Sequence, residues 1–351
     1  MSKYLLLEHL SLLLASFLFA YIASFFLYKY SHKLKALDLP DGKRKVQANP
    51  VSFLGGTAIL LSLSVTGIAA FLVGLEGFAD TQLITSITIA GIFVFILGII
   101  DDYISLSPIL RLFVQTLVAG TVTLLLQQNN LGIKLFDSQI SNALISIIWI
   151  VFLCNAINLY DNTDLAASTT VFCSSAGVFC IAFLNSQLFI SFFALTLCGG
   201  IFAFMLWNRP PARLYLGDSG ALLLGVLLAV LLVQLRPNAS SKSSSVLVLV
   251  FLVAMPIMDT SLVIIRRLLL GVSPFTPGRD HLSHRLLDNK FSGLQVILIL
   301  GGLSTFFTLV SILLSFSFGG LDYLIVGLGI IVWVVVNFLF TKRLKLRNDA
   351  Y

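Results

Sequence analysis

Residues 84–100 read ITSITIAGIFVFILGII, and the next two residues are Asp101 and Asp102. An apolar run of about 17 to 25 residues is long enough to cross a membrane as a helix. Carboxylates at the boundary of a bilayer are costly unless they face water, a metal ion or a partner. This stretch therefore predicts a membrane-spanning helix that ends in two acids with a function.

The whole chain has the composition of a membrane protein. Of its 351 residues, 58% are hydrophobic and only 11% are charged, and the mean hydropathy is +1.00. Soluble domains carry about 25% charged residues, so this chain lacks the polar residues to cover a surface in water. The pattern predicts an all-α, polytopic integral membrane protein with about 11 transmembrane helices. The predicted spans cover residues 4–28, 51–74, 82–100, 110–127, 143–160, 168–184, 188–206, 219–236, 246–268, 295–316 and 321–340.

Lysine and arginine are divided unequally between the two sides of these spans, with 18 on one side and 4 on the other. The positive-inside rule assigns the richer side to the cytoplasm, so the N-terminus is expected outside and the C-terminus inside. The net charge of +6 then needs no nucleic-acid partner. We expect one multi-pass domain over residues 1–351 in the plasma or inner membrane. Its cytoplasmic active-site loops are expected near residues 29–50, 101–111, 155–167, 207–219 and 267–294.

The second cytoplasmic loop begins with the acid pair. Two adjacent carboxylates repel each other, so they are better explained by a cation that they face, although a solvated helix end is the alternative. Ser107 and Pro108 open the next helix, with the proline in its first turn. Arg111 follows one turn later, where a guanidinium can hold a phosphate at the membrane surface.

The third loop carries Asn155, Asn158 and Asp161, spaced so that they share one face of a helix, followed by Asp164. Amide and carboxylate oxygens are the hard ligands that Mg²⁺ prefers, and it usually needs only one or two of them beside phosphates. Hydrogen bonding between helices is the structural alternative.

The first and fourth loops contain glycines that suggest close backbone approach. The Gly55-Gly56 step is a weak sign that the backbone approaches a ligand. Gly217 and Gly220 flank Asp218, which is interpreted either as part of a ligand site or as a simple helix N-cap.

The fifth loop places Arg279, His281, His284 and Arg285 within seven residues. Phosphate recognition is favoured for this set. Zinc is the minor alternative, because no thiol or third histidine accompanies the two histidines. Asp259, near the end of a span, is interpreted either as functional or as a packing acceptor.

Taken together, these loops resemble the polyprenyl-phosphate N-acetylhexosamine-1-phosphate transferase family, that is, glycosyltransferase family 4. The matching segments are Gly98–Asp102 with Leu106–Pro108 and Arg111; Asn155–Asn158; Pro211-Ala212 with Leu216–Gly220; and Arg279–Leu286. Eleven spans fit the undecaprenyl-phosphate N-acetylglucosamine-1-phosphate transferase branch better than the phospho-N-acetylmuramoyl-pentapeptide transferases, which usually have ten. The latter also tend to carry consecutive histidines near the last motif.

The resemblance implies an enzyme that transfers a sugar-1-phosphate from a UDP-sugar to polyprenyl (undecaprenyl) phosphate and releases UMP. N-acetylglucosamine-1-phosphate is the favoured group, as the first membrane step of a cell-envelope glycan pathway. Mg²⁺ is the implied cofactor, with Mn²⁺ as an alternative, and a homodimer is left open. The rival interpretations are a phospho-N-acetylmuramoyl-pentapeptide transferase, a lipid-linked sugar transporter, and a relative that binds UDP-sugar without turnover.

Site roles follow from the matched motifs. Asp101 and Asp102 match the catalytic acid pair, and Asn158 and Asp218 match the positions that hold Mg²⁺. The side chains expected to bind the substrates are Arg111, Asn155, Asp161, Asp164, Arg279, His281, His284 and Arg285.

The sequence departs from the family's usual pattern at several positions. The segment from Asp161 to Ala167 lacks both glycines that commonly follow its two acids, and we interpret it as one residue shorter after Asp164. Gln47 and Ser283 stand where histidines are common, and Gly278 stands where an aspartate is common. The altered loop is expected to affect the nucleotide site and to leave the metal pair intact.

The acceptor itself suggests how the acid pair works. A phosphomonoester has a second pKa of about 6, so it is already a nucleophile at neutral pH. We therefore expect Asp101 to position or deprotonate the acceptor and Asp102 to support it. Direct attack on the diphosphate is favoured over a covalent aspartyl intermediate.

Overall fold

The computed structural model describes residues 3–39, 49–128, 131–274, 276, 278–317 and 320–342. Lys43, Arg44, Lys45 and Gln47 of the first predicted cytoplasmic loop lie outside this part of the chain. The helices that it contains are α1 (Lys3–Tyr30), α2 (Gly55–Val73), α3 (Thr81–Ile104), α4 (Pro108–Gln127), α5 (Gln139–Tyr160), α6 (Ala166–Leu184), α7 (Leu188–Asn208), α8 (Gly217–Gln234), α9 (Lys242–Leu252), α10 (Ala254–Leu269), α11 (Leu282–Asp288), α12 (Gly293–Ser315) and α13 (Leu321–Lys342), with a short 3-10 helix at Glu76–Ala79.

The helices confirm the predicted fold class. In the described ranges, ten of them are long and apolar enough to cross a membrane, and the number reaches eleven when α9 and α10 are taken as one bent span. Each segment predicted from hydropathy is helical over most of its length, because in a bilayer the backbone must satisfy its hydrogen bonds within the segment.

The ninth predicted span is broken, so the expectation of one continuous helix over residues 246–268 is wrong. Helices α9 and α10 meet at an angle of 78°. Val253, between them, has non-helical backbone angles, and Pro256 follows in the first turn of α10. A proline lacks the N–H of an interior helical residue but is tolerated in a first turn, which favours a new helix beginning here. The bend directs α10 and Asp259 towards the loop after it.

Helix α8 forms the centre of the protein. Every residue from Ser219 to Gln234 is buried, and α2, α3 and α5 pack around it. Its sequence is apolar on all sides, which is the pattern of a helix enclosed by other helices. The N-terminus of α8 therefore lies among several neighbouring helix ends.

Glycine allows this crowding at two positions. A Cβ atom on Gly56 would lie 2.2 Å from Cα of Gly220, so the close approach at Gly56 is between the α2 and α8 backbones. A ligand contact at this step stays a prediction. Gly217 has φ +74, which is unfavourable for any residue with a side chain. A Cβ on Gly217 would also lie 2.9 Å from Oδ2 of Asp102. The close contact between α3 and the start of α8 thus depends on glycine.

A small sheet ties two of the loops together beside this helix end. Strand β1 (Leu37–Asp38) pairs antiparallel with β2 (Val51–Ser52), and Ser52 forms a parallel bridge to Leu214. The first and fourth loops are therefore held against each other.

Candidate active site

Asp102 caps the N-terminus of α8. Its two carboxylate oxygens accept hydrogen bonds from the backbone N–H groups of Asp218 at 2.7 Å and Ser219 at 3.0 Å. These are among the orphan donors of a helix start, and a carboxylate there also interacts favourably with the helix dipole. The cap is supplied by α3 rather than by Asp218, which leaves the Asp218 side chain to other contacts.

Asn158 and Asp218 meet at the same place. Nδ2 of Asn158, in the last turn of α5, donates to Oδ1 of Asp218 at 2.7 Å. The two residues predicted to hold a metal are therefore brought together from positions 60 residues apart. We call Asp102, Asn158, Asp161 and Asp218 the acidic half of the site.

Asp161 is the most electrostatically crowded acid of this half. Burial, together with the nearby charges of Asp218, Asp164 and Asp102, raises its pKa to about 8. Burial also raises the pKa of Asp164. A hydrogen bond that its Oδ2 accepts from the backbone N–H of Ala212 at 3.2 Å lowers that pKa, but by less than burial raises it. Such a concentration of carboxylates is unfavourable without a cation.

The raised pKa predicts that the metal-free protein loses stability as the pH rises. Folded Asp161 keeps its proton up to a pKa of about 8, whereas the unfolded group releases it near 3.8. The folded state binds more protons between these values, so the free energy of unfolding falls as the pH rises through that window. We expect the Tm of protein in detergent with chelator to fall between pH 5 and 8.5, and to fall less in Asp161→Asn.

Asp137→Asn is the matched control, because that carboxylate is fully exposed and its pKa is lowered. It should keep the wild-type dependence of Tm on pH. Equal slopes in wild type and Asp161→Asn would contradict the assignment.

Asp101 is bound on both of its oxygens. Oδ1 accepts the backbone N–H of Leu106 at 2.6 Å, and Oδ2 accepts NH1 of Arg111 at 2.6 Å. As predicted, Ser107 caps α4 and Pro108 stands in its first turn. The carboxylate thus fixes the loop between α3 and α4 and orients the Arg111 guanidinium.

Asn155 lies one turn deeper than Asn158 and does not contact the acidic half in the structure. Its Nδ2 donates to Oε1 of Gln115 in α4 at 2.5 Å. This is the hydrogen bonding between helices that was the structural alternative for the motif. The shared helical face therefore divides into a packing contact and a site residue, and substrate binding by Asn155 stays a prediction.

Asp259, for which the sequence left a functional role and a packing role open, lies against the fifth loop. It is fully buried, and its Oδ2 lies 2.7 Å from Nδ1 of His281 while its Oδ1 accepts the backbone N–H of Leu282 at 2.7 Å. A carboxylate paired with one ring nitrogen fixes the tautomer and orientation of a histidine. In the sequence, the sign of this role was a carboxylate within a predicted membrane span.

A buried ion pair supports the loop that carries His281. Arg267 donates from Nε and NH2 to the two oxygens of Asp280, at 3.0 and 2.6 Å, and from NH1 to the carbonyl of Pro274 at 2.7 Å. Burial tends to raise the pKa of Asp280, but the hydrogen bonds and charge of Arg267 outweigh it and lower that pKa. Arg285 is also buried, and its Nε donates to the Asp280 carbonyl at 2.9 Å.

His284 and Arg279 are the remaining candidates for binding phosphate, and only Arg279 carries a charge at pH 7. Burial, then the charge of Arg279 and His281, lowers the pKa of His284 to about 4, so its imidazole is neutral at pH 7. Arg279 is half-buried near that ring. We call Asp259, Asp280, His281, His284 and Arg285 the histidine half of the site. Substrate binding by Arg279, His281, His284 and Arg285 stays a prediction.

The donor set fits magnesium better than zinc. Within the described ranges, no three side chains among His, Cys, Asp and Glu are grouped to hold a metal ion. Mg²⁺ needs no such cage, because one or two protein oxygens suffice when phosphates and water complete its shell. The carboxylate of Asp218 and the amide of Asn158 supply oxygens of that kind.

A side-chain contact joins the segments that carry the two halves. Oγ of Ser283, in α11, donates a hydrogen bond to Oδ1 of Asn162, which follows Asp161. The third and fifth loops therefore lie side by side, as one site on one face of the helix bundle.

The structure thus defines a multi-pass membrane protein with carboxylates, amides and arginines gathered at one end of its helices. The sequence pattern of the family described as "Glycosyl transferase family 4" matches residues 84–236. That match covers the acidic half, from Asp102 to Asp218.

Relatives with assigned activities match over much of the chain. The protein is 28% identical over 296 residues to a probable undecaprenyl-phosphate N-acetylglucosaminyl 1-phosphate transferase of Bacillus subtilis, covering 81% of this chain and 78% of that one. It is 27% identical to an undecaprenyl-phosphate alpha-N-acetylglucosaminyl 1-phosphate transferase of Thermotoga maritima, covering 85% and 89%. A phospho-N-acetylmuramoyl-pentapeptide-transferase of Streptococcus thermophilus is 27% identical over 56% of this chain and 62% of its own. The family resemblance of the motifs is confirmed, and the N-acetylglucosamine branch matches over more of the chain.

Proposed function

We propose that the protein transfers N-acetylglucosamine-1-phosphate from a UDP-sugar to polyprenyl phosphate and releases UMP. The observation that carries the proposal is the meeting of Asp102, Asn158 and Asp218 at the start of α8, in a chain similar to transferases of this kind over most of its length. The shorter match to the phospho-N-acetylmuramoyl-pentapeptide transferase makes that activity the less favoured one.

The reaction joins an oxygen of the acceptor phosphate to the phosphorus that bears the sugar. The bond from that phosphorus to the oxygen of UMP breaks, and UMP leaves with the electron pair. The acceptor is largely a dianion at neutral pH, so little proton transfer is required. The main task of the protein is to hold two anionic groups in line and to stabilise the charge between them.

The chain's own residues divide this task. Asp102 holds the N-terminus of α8 and so positions Asp218. Asp101 acts through Arg111: it binds one terminal nitrogen of the guanidinium and so orients the cation that would receive the acceptor phosphate. On the other side, Asp259 orients His281 for a phosphate oxygen of the donor.

Asn158 and Asp218 would hold Mg²⁺, with Mn²⁺ as the alternative ion. When bound, the metal supplies charge neutralisation and orientation of the phosphate oxygens. The excess of carboxylate in the acidic half supports a cation there. The unequal division of lysine and arginine supports a cytoplasmic location for the whole site, in the plasma or inner membrane.

One assay tests the proposal. Purified protein is incubated with Mg²⁺, undecaprenyl phosphate and a panel of radiolabelled UDP-sugars, and UMP release is measured. UDP-N-acetylglucosamine should support turnover that depends on both the lipid phosphate and the metal. Binding of UDP-sugar without release of UMP would identify a non-catalytic relative instead.

A transporter of lipid-linked sugars is the second candidate, favoured by the 78° break between α9 and α10, because broken helices are common in transporters. In this protein, however, Asp259 and Arg267 beyond the break pair with the fifth loop, at the face where the other motifs meet. Substrate uptake into vesicles without UMP release would favour the transporter.

A further inference from the structure

Asn162 connects two elements that are far apart in sequence. Its Oδ1 accepts the hydrogen bond of Ser283 Oγ in the first turn of α11, and its Nδ2 donates to the carbonyl of Leu159 at 3.2 Å in the last turn of α5. Both ends of the amide are therefore engaged, so its orientation is set by two independent contacts. Ser283 is only 1% exposed, which shelters the bond between the two side chains from competing water.

The rest of this loop is restrained as well. Leu165 has φ +64, an unusual conformation for a residue with a side chain, and its N–H donates to Oδ1 of Asn208 at 2.7 Å. Asn208 in turn donates from Nδ2 to the carbonyl of Leu214 at 2.9 Å. Side-chain contacts thus hold a loop that lacks the usual glycines, and Ser283 is itself one of the departures from the family pattern.

The hydrogen bond between Asn162 and Ser283 also fixes the separation of the acidic and histidine halves. Asn162 directly follows Asp161 of the acidic half, and Ser283 lies between His281 and His284 of the histidine half. The hydrogen bond links the loop that carries Asp161 to the helix that carries His284. It adds to the packing of α10 against α5, where Oγ1 of Thr260 donates to the carbonyl of Ala156 at 3.5 Å. A ligand that touches both halves needs them at a fixed separation, and small displacements of positioned groups cost large factors in rate.

We propose that Asn162 and Ser283 are a pair of positioning residues that holds the acidic and histidine halves at the spacing required by the diphosphate of the donor. The proposal rests on the proposed function, because it assumes a donor that spans both halves. The pair acts on binding of the donor and leaves binding of the lipid acceptor largely unaffected, since Arg111 and Asp101 contact neither residue.

A double-mutant cycle tests the pair. Asn162→Ala, Ser283→Ala and the double variant are compared with wild type for UMP release, titrating UDP-N-acetylglucosamine and undecaprenyl phosphate in turn. Each single variant should raise the KM for the UDP-sugar by about fivefold to tenfold, the effect expected for one sheltered hydrogen bond. The KM of the double variant for the UDP-sugar should be no higher than the larger of the two single-variant values, because both substitutions remove the same bond. The KM for the lipid should stay within about twofold of wild type, because the removed bond is not expected to contribute to binding of the lipid.

Two further variants separate positioning from general stability. Ser283→Thr keeps the hydroxyl and should restore the wild-type KM. Ser245→Ala, in the first turn of α9, where the hydroxyl donates only to the Ser241 carbonyl at 3.1 Å, should change neither KM. If an alanine variant does not fold, Ser283→Cys keeps the volume and weakens the donor, and the KM for the UDP-sugar must still rise.

The results distinguish the two proposals. The role of the pair would be overturned if the fold increases in KM of the two single variants multiplied in the double variant. It would also be overturned if the KM values for the UDP-sugar and for the lipid rose equally. Either result would leave the transferase assignment intact. Absence of UMP release from the wild-type protein would overturn the transferase assignment itself. In that case binding of UDP-N-acetylglucosamine, measured calorimetrically on the same variants, still tests the pair, and unchanged affinity in Ser283→Ala would overturn it.

Discussion

Asp218→Asn is expected to leave less than about a tenth of the wild-type rate of UMP release, equivalent to more than about 1.4 kcal/mol of barrier. The substitution preserves the size of the side chain and can keep a hydrogen bond to Asn158, so the packing of α8 should survive. It removes the negative charge at the position proposed to hold the metal. The loss should therefore appear in turnover and in the Mg²⁺ dependence, with little change in Tm.

The control for Asp218→Asn is Asp137→Asn, which removes a carboxylate from an exposed loop ion pair with Lys242. Exposed pairs of this kind contribute little to stability, so the control should keep full activity. A rate above a tenth of wild type in Asp218→Asn, with a folded protein, would show that the metal assignment is wrong.

Arg267→Met is expected to destabilise the protein by about 3–5 kcal/mol, the cost of removing one partner from a buried ion pair. Arg267 and Asp280 are each 1% exposed, and the guanidinium binds both oxygens of the carboxylate. Without it, Asp280 remains as a buried charge, and the loop that carries His281 loses its support. The free energy of unfolding in mixed detergent measures the effect.

Two comparisons make this prediction specific to the ion pair. Arg266→Met changes the neighbouring arginine, which forms no such pair in the described structure, and should cost much less. The double variant Arg267→Met with Asp280→Leu should recover much of the loss, because a buried ion pair can often be replaced by apolar groups. A double variant less stable than Arg267→Met alone would argue against loss of the Arg267–Asp280 ion pair as the cause.

The acid pair that ends the third span shows how far sequence reasoning reached. Hydropathy located the helix before Asp101 and Asp102, and the division of lysine and arginine grouped their loop with the other motifs. The structure then separated the two residues, since Asp101 binds Arg111 and Asp102 caps α8. Arg111 lies in the same loop as the pair, whereas the start of α8 lies 116 residues further along the chain, so no local pattern could assign the cap to Asp102.

The third loop was also predicted only in part from its sequence. The spacing of Asn155, Asn158 and Asp161 correctly predicted that they stand near the end of one helix. Which of them reaches the acidic half depends on what lies opposite: Gln115 of α4 faces Asn155, and Asp218 of α8 faces Asn158. A one-turn difference in depth decides this, and helical periodicity alone cannot distinguish the two.

Composition and hydropathy by themselves determined that this chain is a helical membrane protein with its polar motifs grouped at one end. They could do so because the cost of burying polar groups in hydrocarbon applies to each segment separately. The break before Pro256, the Asp259–His281 pair and the link from Asn162 to Ser283 were decided only by the tertiary structure. Such contacts arise where backbones approach closely, as at Gly56 and Gly217, and that approach depends on the packing of all the helices together.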